Sequence, residues 1–362
     1  MSFKKTVCFY FAVFLFLAAV LPSVFYVSDP YMLFHEHWFH KGKMINNLRI
    51  QNYGLIKYEP FDAVILGTSM FQNTSADEAT KKLKHTYVNL SFPGGTYYER
   101  FLILKFILRT KKIKSVIMSL DYHFKDKYRT ENTFYPSLYS EKPLGGKLSA
   151  YLTSKAVLCT LLNKGCDFID KNVDRPTAWF DMKEYAYRFN GFDDWMKHWK
   201  EDKQIQTTFR QLLEGDEEYK TEYAEYKFII DNFICRLFEN KEISFSIIVP
   251  PYSILYWGKR KQTVKEMMKP YEYLVEKAKN HPNVKIHWFY DDAYVFDISK
   301  YMDLVHYGEP VNSRQIDAIQ NGTHILDETN YKQKLKTFIE KVKAFDLDPY
   351  LERIRKETDI KA

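Results

Sequence analysis

The chain has 362 residues but only four cysteines, and no two of them form a Cys-x-x-Cys pair. The usual basis of a structural zinc site is therefore missing. There is no Gly-x-Gly-x-x-Gly, so nothing marks a dinucleotide-binding turn, and no Gly-x-Ser-x-Gly, so the nucleophile elbow of the α/β hydrolases is absent too. Internal repeats and low-complexity segments are also lacking. Lys and Arg (53) exceed Asp and Glu (46) by 7, but the excess is spread out, with only short patches such as Lys111-Lys112-Ile113-Lys114. That distribution describes a solvated surface and argues against a nucleic-acid partner. No metal and no cofactor are expected. Aromatic residues are plentiful, a composition that suits a sugar-binding surface and an AT-rich coding bias equally.

What is present begins at the N-terminus. After Lys4-Lys5, the segment from Thr6 to Val27 has no charge and is rich in Phe, Val, Leu and Ala. About twenty such residues match the hydrocarbon thickness of a bilayer. The run is long for a signal-peptide core, and Ala18-Ala19 lacks a clean cleavage pattern. Residues 1–29 are therefore expected to be an uncleaved signal anchor, a single transmembrane helix. The two lysines stay cytoplasmic and the rest of the chain lies outside the cytoplasm. Export leaves two states open for Cys159 and Cys166, a small disulfide loop or buried free thiols. His35, His37 and His40 accompany Trp38 and Phe39 in a connector, residues 30–60, which suits an interfacial role better than metal binding.

Five apolar runs suit buried parallel strands: Asp62–Leu66, Tyr87–Leu90, Ser115–Leu120, Phe245–Val249 and Val284–Phe289. Helical patterns lie between them at Tyr97–Arg109 and at Lys261–Lys279, where Pro270 is expected to kink or divide the helix. Another covers Tyr331–Phe345. Alternating strands and helices predict an α/β fold, a doubly wound (flavodoxin-like) parallel sheet of about five strands. The link from the third strand to the fourth is too long for one crossover. A helical insertion is expected at about 124–215, and a further helical stretch from Asp216 to Asn240 supplies the crossover. Residues 61–345 form the α/β domain and 346–362 a charged tail.

The chemistry rests on two blocks. Gly67-Thr68-Ser69 follows the first strand, and Asp303-Leu304-Val305-His306 follows the fifth. Nucleophilic acyl chemistry needs a hydroxyl at a strand end, an imidazole to take its proton and a carboxylate to hold the imidazole in one tautomer. Strand C-terminal ends share one crevice in a doubly wound sheet, so Ser69, His306 and Asp303 can converge. Gly94-Gly95, after the second strand, can bring a backbone N–H close to a substrate oxygen.

These blocks resemble those of the SGNH, or GDSL-like, hydrolase superfamily: Gly67-Thr68-Ser69, then Asn89-Leu90-Ser91-Phe92-Pro93-Gly94-Gly95, then Asp303 to His306. A narrower resemblance takes in the anchor, Asp29-Pro30-Tyr31, Ser119-Leu120-Asp121-Tyr122 and Val249-Pro250-Pro251-Tyr252-Ser253. Those features are similar to membrane-anchored envelope proteins of D-alanyl-lipoteichoic acid biosynthesis and alginate O-acetylation. The resemblance implies a serine acyltransferase or esterase acting on a surface glycopolymer, with Ser69 as nucleophile, His306 as base and Asp303 as orienting acid. The superfamily usually places an oxyanion-binding Asn after the third strand, but here the chain reads Asp121-Tyr122-His123-Phe124. Asn73 and His123 are the nearby candidates to replace it. The missing Asn also leaves a second reading open, a weakly catalytic binding or assembly protein that assists a membrane-bound acyltransferase.

Overall fold

The computed structural model describes residues 3–39, 43–122, 124, 127–162, 164, 166, 168–170, 183–214 and 225–361. His40 and His123 lie outside the described residues, as does residue range 216–224 of the expected helix at 216–240. The chain divides into two compact units. One contains residues 1–60, 105–111 and 131–176, and the other 61–104, 112–130 and 177–362.

The first unit starts with the helix Phe3–Ser28, whose 26 residues span about 39 Å. It is long and apolar enough to cross a membrane, and its most apolar window is wholly uncovered by the rest of the chain. The chain leaves this helix through a polar knot. Asp29 is buried with a positive φ of 31°. Its carboxylate accepts from the backbone N–H groups of Leu33 (2.9 Å), Phe34 (2.8 Å) and His35 (2.9 Å), and from the Tyr151 hydroxyl. A carboxylate so surrounded forces the turn that Asp29-Pro30-Tyr31 announces. Strand β1, Lys43–Ile45, pairs antiparallel with β5, Phe168–Asp170. Cys159 and Cys166 are joined by a disulfide, which resolves the alternative the sequence left open. Part of the expected insertion, residues 131–176, thus belongs to the same unit as the first sixty residues.

The second unit is built on a five-stranded, all-parallel sheet. Its strands are β2 (Ala63–Leu66), β3 (Tyr87–Asn89), β4 (Ser115–Ser119), β6 (Ser244–Val249) and β7 (Val284–Trp288), in the order β3-β2-β4-β6-β7. Each falls within a residue or so of the run expected from the sequence. All of β2 and β4 is buried, as a parallel strand covered on both faces requires. Burying Val64, Ile65, Val116 and Ile117 contributes about 1.5–3 kcal/mol each. Pro250 and Pro251 stop β6, since neither can donate to the ladder. Pro270 divides its stretch as expected: Val264–Met267 ends before it, and it occupies the first turn of Lys269–Ala278, where a missing N–H costs nothing. The helical stretch from Tyr226 to Phe238 contains one π turn, Ile230–Cys235.

Candidate active site

Ser69 opens a short 3₁₀ turn, Ser69–Phe71, directly after β2. Apolar β2 must end where Gly67 lets the backbone pass close to β4. A Cβ at Gly67 would lie 2.8 Å from Ser119 Oγ and 2.9 Å from Phe71 Cβ. The Gly67 N–H donates to Ser91 Oγ (2.9 Å), and Phe92 N donates to the Gly67 carbonyl (3.2 Å), which tie this turn to the loop after β3. Asn89, at the end of β3, donates to the Phe71 and Thr74 carbonyls at 2.8 and 2.9 Å. The polar residues of the Asn89–Gly95 block therefore brace the Ser69 turn.

Beneath the turn lies a buried charge pair that the sequence reading did not assign. Thr68 Oγ1 donates to Asp121 Oδ1 (2.7 Å), and Ser119 Oγ donates to Asp121 Oδ2 (2.5 Å). Arg100 Nη1 lies 3.2 Å from Asp121 Oδ2 and also donates to the Ser119 carbonyl at 2.6 Å. Tyr97 donates its hydroxyl to the Asp121 carbonyl and carries the Arg100 guanidinium 4.4 Å above its ring centre. An acid directly after a buried strand was a visible signal for Asp121. Arg100 sits on a helix whose pattern reads as ordinary packing, and only the structure shows its partner.

The other half of the site comes from the loop after β7. Tyr301 and Tyr307 pair across it, and Met302 N donates to the His306 carbonyl (3.0 Å). The Tyr301 hydroxyl donates to the Pro251 carbonyl (2.9 Å), and Ser253 Oγ to the Leu304 carbonyl (2.7 Å). Those bonds give the Val249–Ser253 block a role: proline fixes the chain after β6, and its carbonyls and serine hold the loop. On the far side, Asn312 of the helix Glu309–Asn321 donates to Met70 O and Thr74 Oγ1, both at 2.9 Å. The helix that follows His306 is thereby fastened to the turn that carries Ser69.

The two halves meet at hydrogen-bond distance. Ser69 Oγ is 2.8 Å from His306 Nε2, across 237 residues of sequence, and His306 Nδ1 is 2.7 Å from Asp303 Oδ2. Asp303 Oδ1 accepts from the N–H groups of Val305 (2.9 Å) and His306 (2.8 Å), a tight turn that explains the three-residue spacing. Burial alone would raise the Asp303 pKa, but the His306 ring and these two N–H groups more than offset it, and the carboxyl lies below its ordinary value. The Asp303 side chain is 5% exposed and that of His306 20%, so the acid is shielded while the imidazole is open to a ligand. A further donor was invisible in the sequence: Gln204 Nε2 reaches Asp303 Oδ2 at 3.0 Å. Gln204 stands in the first turn of Lys203–Leu213, which Asp202 caps by accepting from Gln204 N and Ile205 N.

Of the remaining candidates, Gly94 adopts φ +60°, and Gly95 donates its N–H to the Phe92 carbonyl at 3.3 Å, closing the turn. Asn73 is fully buried four residues past Ser69, and its side-chain amide makes no hydrogen bond among the described residues. Ser69, His306 and Asp303 can pass a proton along one line, from hydroxyl to imidazole, with the carboxylate fixing the ring. Compared with known proteins, the chain matches no family model and no curated sequence.

Proposed function

We propose that the chain is a membrane-anchored serine acyltransferase or esterase of SGNH-like type, working outside the cytoplasm on an acylated surface glycopolymer. The observation that carries this reading is the pair of bonds from Ser69 Oγ to His306 Nε2 and from His306 Nδ1 to Asp303 Oδ2, at 2.8 and 2.7 Å. A doubly wound, flavodoxin-like arrangement is supported by the strand order, which reverses at β2, the point where such sheets bind ligands.

In this mechanism Ser69 Oγ attacks the acyl carbonyl carbon while His306 Nε2 takes its proton. Charge on the carbonyl oxygen is met by the backbone N–H groups of Ser69 and Gly94, and Asn73 or His123 is the candidate for the donor that the missing Asn would supply. Collapse of the tetrahedral intermediate expels the leaving alcohol, which takes the proton back from His306. Water or a polymer hydroxyl then attacks the Ser69 ester, His306 again accepting and returning the proton, and Ser69 is released. Asp303 stays ionised throughout and steadies the imidazolium.

A second reading, an assembly protein that assists a membrane-bound acyltransferase, is favoured by one observation. Asp121 stands where the superfamily usually has an oxyanion Asn, and its carboxylate is committed to Thr68, Ser119 and Arg100. A fluorophosphonate probe separates the two. The catalytic reading expects a covalent adduct on the Ser69 peptide of the full-length chain, lost in Ser69→Ala. No adduct, under conditions that label a known serine esterase, decides for the assembly reading.

A further inference from the structure

Outside the helix Phe3–Ser28, the exposed large apolar side chains among the described residues fall almost wholly in the first unit; Tyr128 is the exception. Six of them are leucines on two consecutive helices. Leu144, Leu148 and Leu152 recur every four residues along and just past Leu144–Tyr151, and Leu158, Leu161 and Leu162 share one side of Ser154–Leu162. Gly146 and Ala150 are buried on the opposite side of the first helix and Ala156 on that of the second, while Tyr151 and Cys159 are buried at the edges of the leucine faces. Each helix thus has a finished inner face and an apolar outer face that no described residue covers.

We infer that these two helices lie in the membrane interface beside the anchor, with their leucine faces in the lipid. The inference rests on the anchor reading of Phe3–Ser28. Three observations choose lipid as the occupant. Ser154–Leu162 packs directly beside the anchor helix, whose most apolar window no described residue covers. Phe25, near the C-terminal end of the anchor, sets its ring 5.4 Å from that of Tyr151, so the helix pair sits at the level where the anchor leaves the bilayer. That level carries the aromatic side chains expected of a membrane–water boundary: Trp38, half-exposed, lies 6.1 Å from the Tyr26 ring and stacks on His35 at 3.9 Å. Charge agrees, since residues 141–164 carry Lys142, Lys155 and Lys164 against Glu141, with Lys147 turned inward over the Phe34 and Tyr53 rings, a balance suited to anionic headgroups.

The test uses the full-length chain in phosphatidylcholine–phosphatidylglycerol vesicles, with Cys8→Ser and Cys235→Ala leaving the Cys159–Cys166 bond as the remaining cysteine pair. An environment-sensitive fluorophore is placed through Leu152→Cys, at a side chain 77% exposed, and in a separate protein through Leu158→Cys. Phe11→Cys reports on the anchor. Retention of a cooperative unfolding transition confirms each labelled protein is folded. The expected result is blue-shifted emission at 152 and 158, quenched most by lipids with a nitroxide near the headgroup, while the label at 11 is quenched most by a deep nitroxide. Water-like emission at both 152 and 158, with the label at 11 still quenched, overturns the proposal and leaves the anchor standing. Blue-shifted emission that no nitroxide lipid quenches also overturns it, because a second copy or another protein then covers the leucines. A label at 11 that no lipid quenches overturns the anchor reading and this inference together.

Discussion

Gln204 donates to the same oxygen of Asp303 that accepts from His306: Asp303 Oδ2 lies 3.0 Å from Gln204 Nε2 and 2.7 Å from His306 Nδ1. With Oδ1 taken by the Val305 and His306 N–H groups, the carboxylate has four donors and no freedom to rotate. Gln204 thus helps to fix the carboxylate that holds the His306 ring.

Replacing it by leucine removes one bond to a buried charged group, worth about 1.5–3 kcal/mol. For Gln204→Leu we expect kcat on an acyl ester to fall roughly tenfold or more with KM little changed, the sign of an interaction realised in the transition state. Gln204→Glu should be worse, because a second carboxylate beside Asp303 opposes its ionisation. Steady-state kinetics across a pH series check both. Wild-type kcat and an unmoved pH profile in Gln204→Leu would reduce the contact to mere packing.

Asp121 and Arg100 set the stability of the Ser69 turn. Asp121→Leu strands the Arg100 guanidinium in the interior, which costs about 3–5 kcal/mol. Thr68→Val removes the hydroxyl that donates to Asp121 Oδ1 and accepts from Met70 N, and should cost about 1–3 kcal/mol. Urea unfolding measures both, and Asp121→Leu must be the more severe of the two.

Gly67→Ala tests the close passage of the turn over β4. Its added Cβ would press on Ser119 Oγ at 2.8 Å and on Phe71 at 2.9 Å, and overpacking of this kind costs about 1–3 kcal/mol. Because Ser69 is two residues away, activity should fall by more than the loss of folded protein explains. Comparing turnover per folded molecule, counted from the unfolding curve, checks the difference.

The sheet was legible in the sequence because its strands are buried on both faces and therefore appear as short unbroken apolar runs, as Ala63–Leu66 and Ser115–Ser119 do. The meeting of Ser69 with His306 was legible because both follow strand ends of one parallel sheet. Gln204 was not: it belongs to an insertion 99 residues from Asp303, and a glutamine in the first turn of a helix carries no local mark of its partner. The placement of residues 131–176 with the first sixty was hidden likewise, since pairing of β1 with β5 joins two segments too short to register as strands. Sequence periodicity reports burial along one element and says nothing of which distant element supplies it.

His287 makes stability depend on pH. It is buried in β7, its Nδ1–H donates to the Thr323 carbonyl (3.0 Å), and Nε2 has no partner among the described residues. Burial, aided by Lys285 and His324 nearby, holds its pKa at about 4, below the ordinary 6.5. The unfolded chain therefore binds a proton between pH 6.5 and 4 that the folded chain does not, and stability rises with pH across that window. His287 contributes fully above pH 6.5, and roughly 3 kcal/mol is lost as pH falls through 4. His287→Gln should flatten the curve in that range; urea titrations from pH 4 to 7 with the same slope as wild type would contradict this. Asp303, depressed below its ordinary value, acts in a lower window, losing its contribution only as pH falls below that of a free carboxyl.

Ser69 and His306 should behave as one catalytic unit. A hydroxyl without its base stays protonated, and a base without its hydroxyl has no nucleophile to activate, so either single substitution closes the covalent route. Ser69→Ala and His306→Ala are each expected to lower kcat by three orders of magnitude or more, and the double variant to cost little beyond either. Asp303→Asn should be milder than His306→Ala if its carboxylate orients the ring and steadies its charge. A small acyl ester is the first substrate and acylated envelope polymer the second, because a transferase can ignore the former while using the latter. Additive losses in the double variant would separate the two residues into independent roles. Ser69→Ala with wild-type turnover on both substrates would remove the nucleophile, and the 2.8 Å contact with His306 Nε2 would then be a structural bond alone.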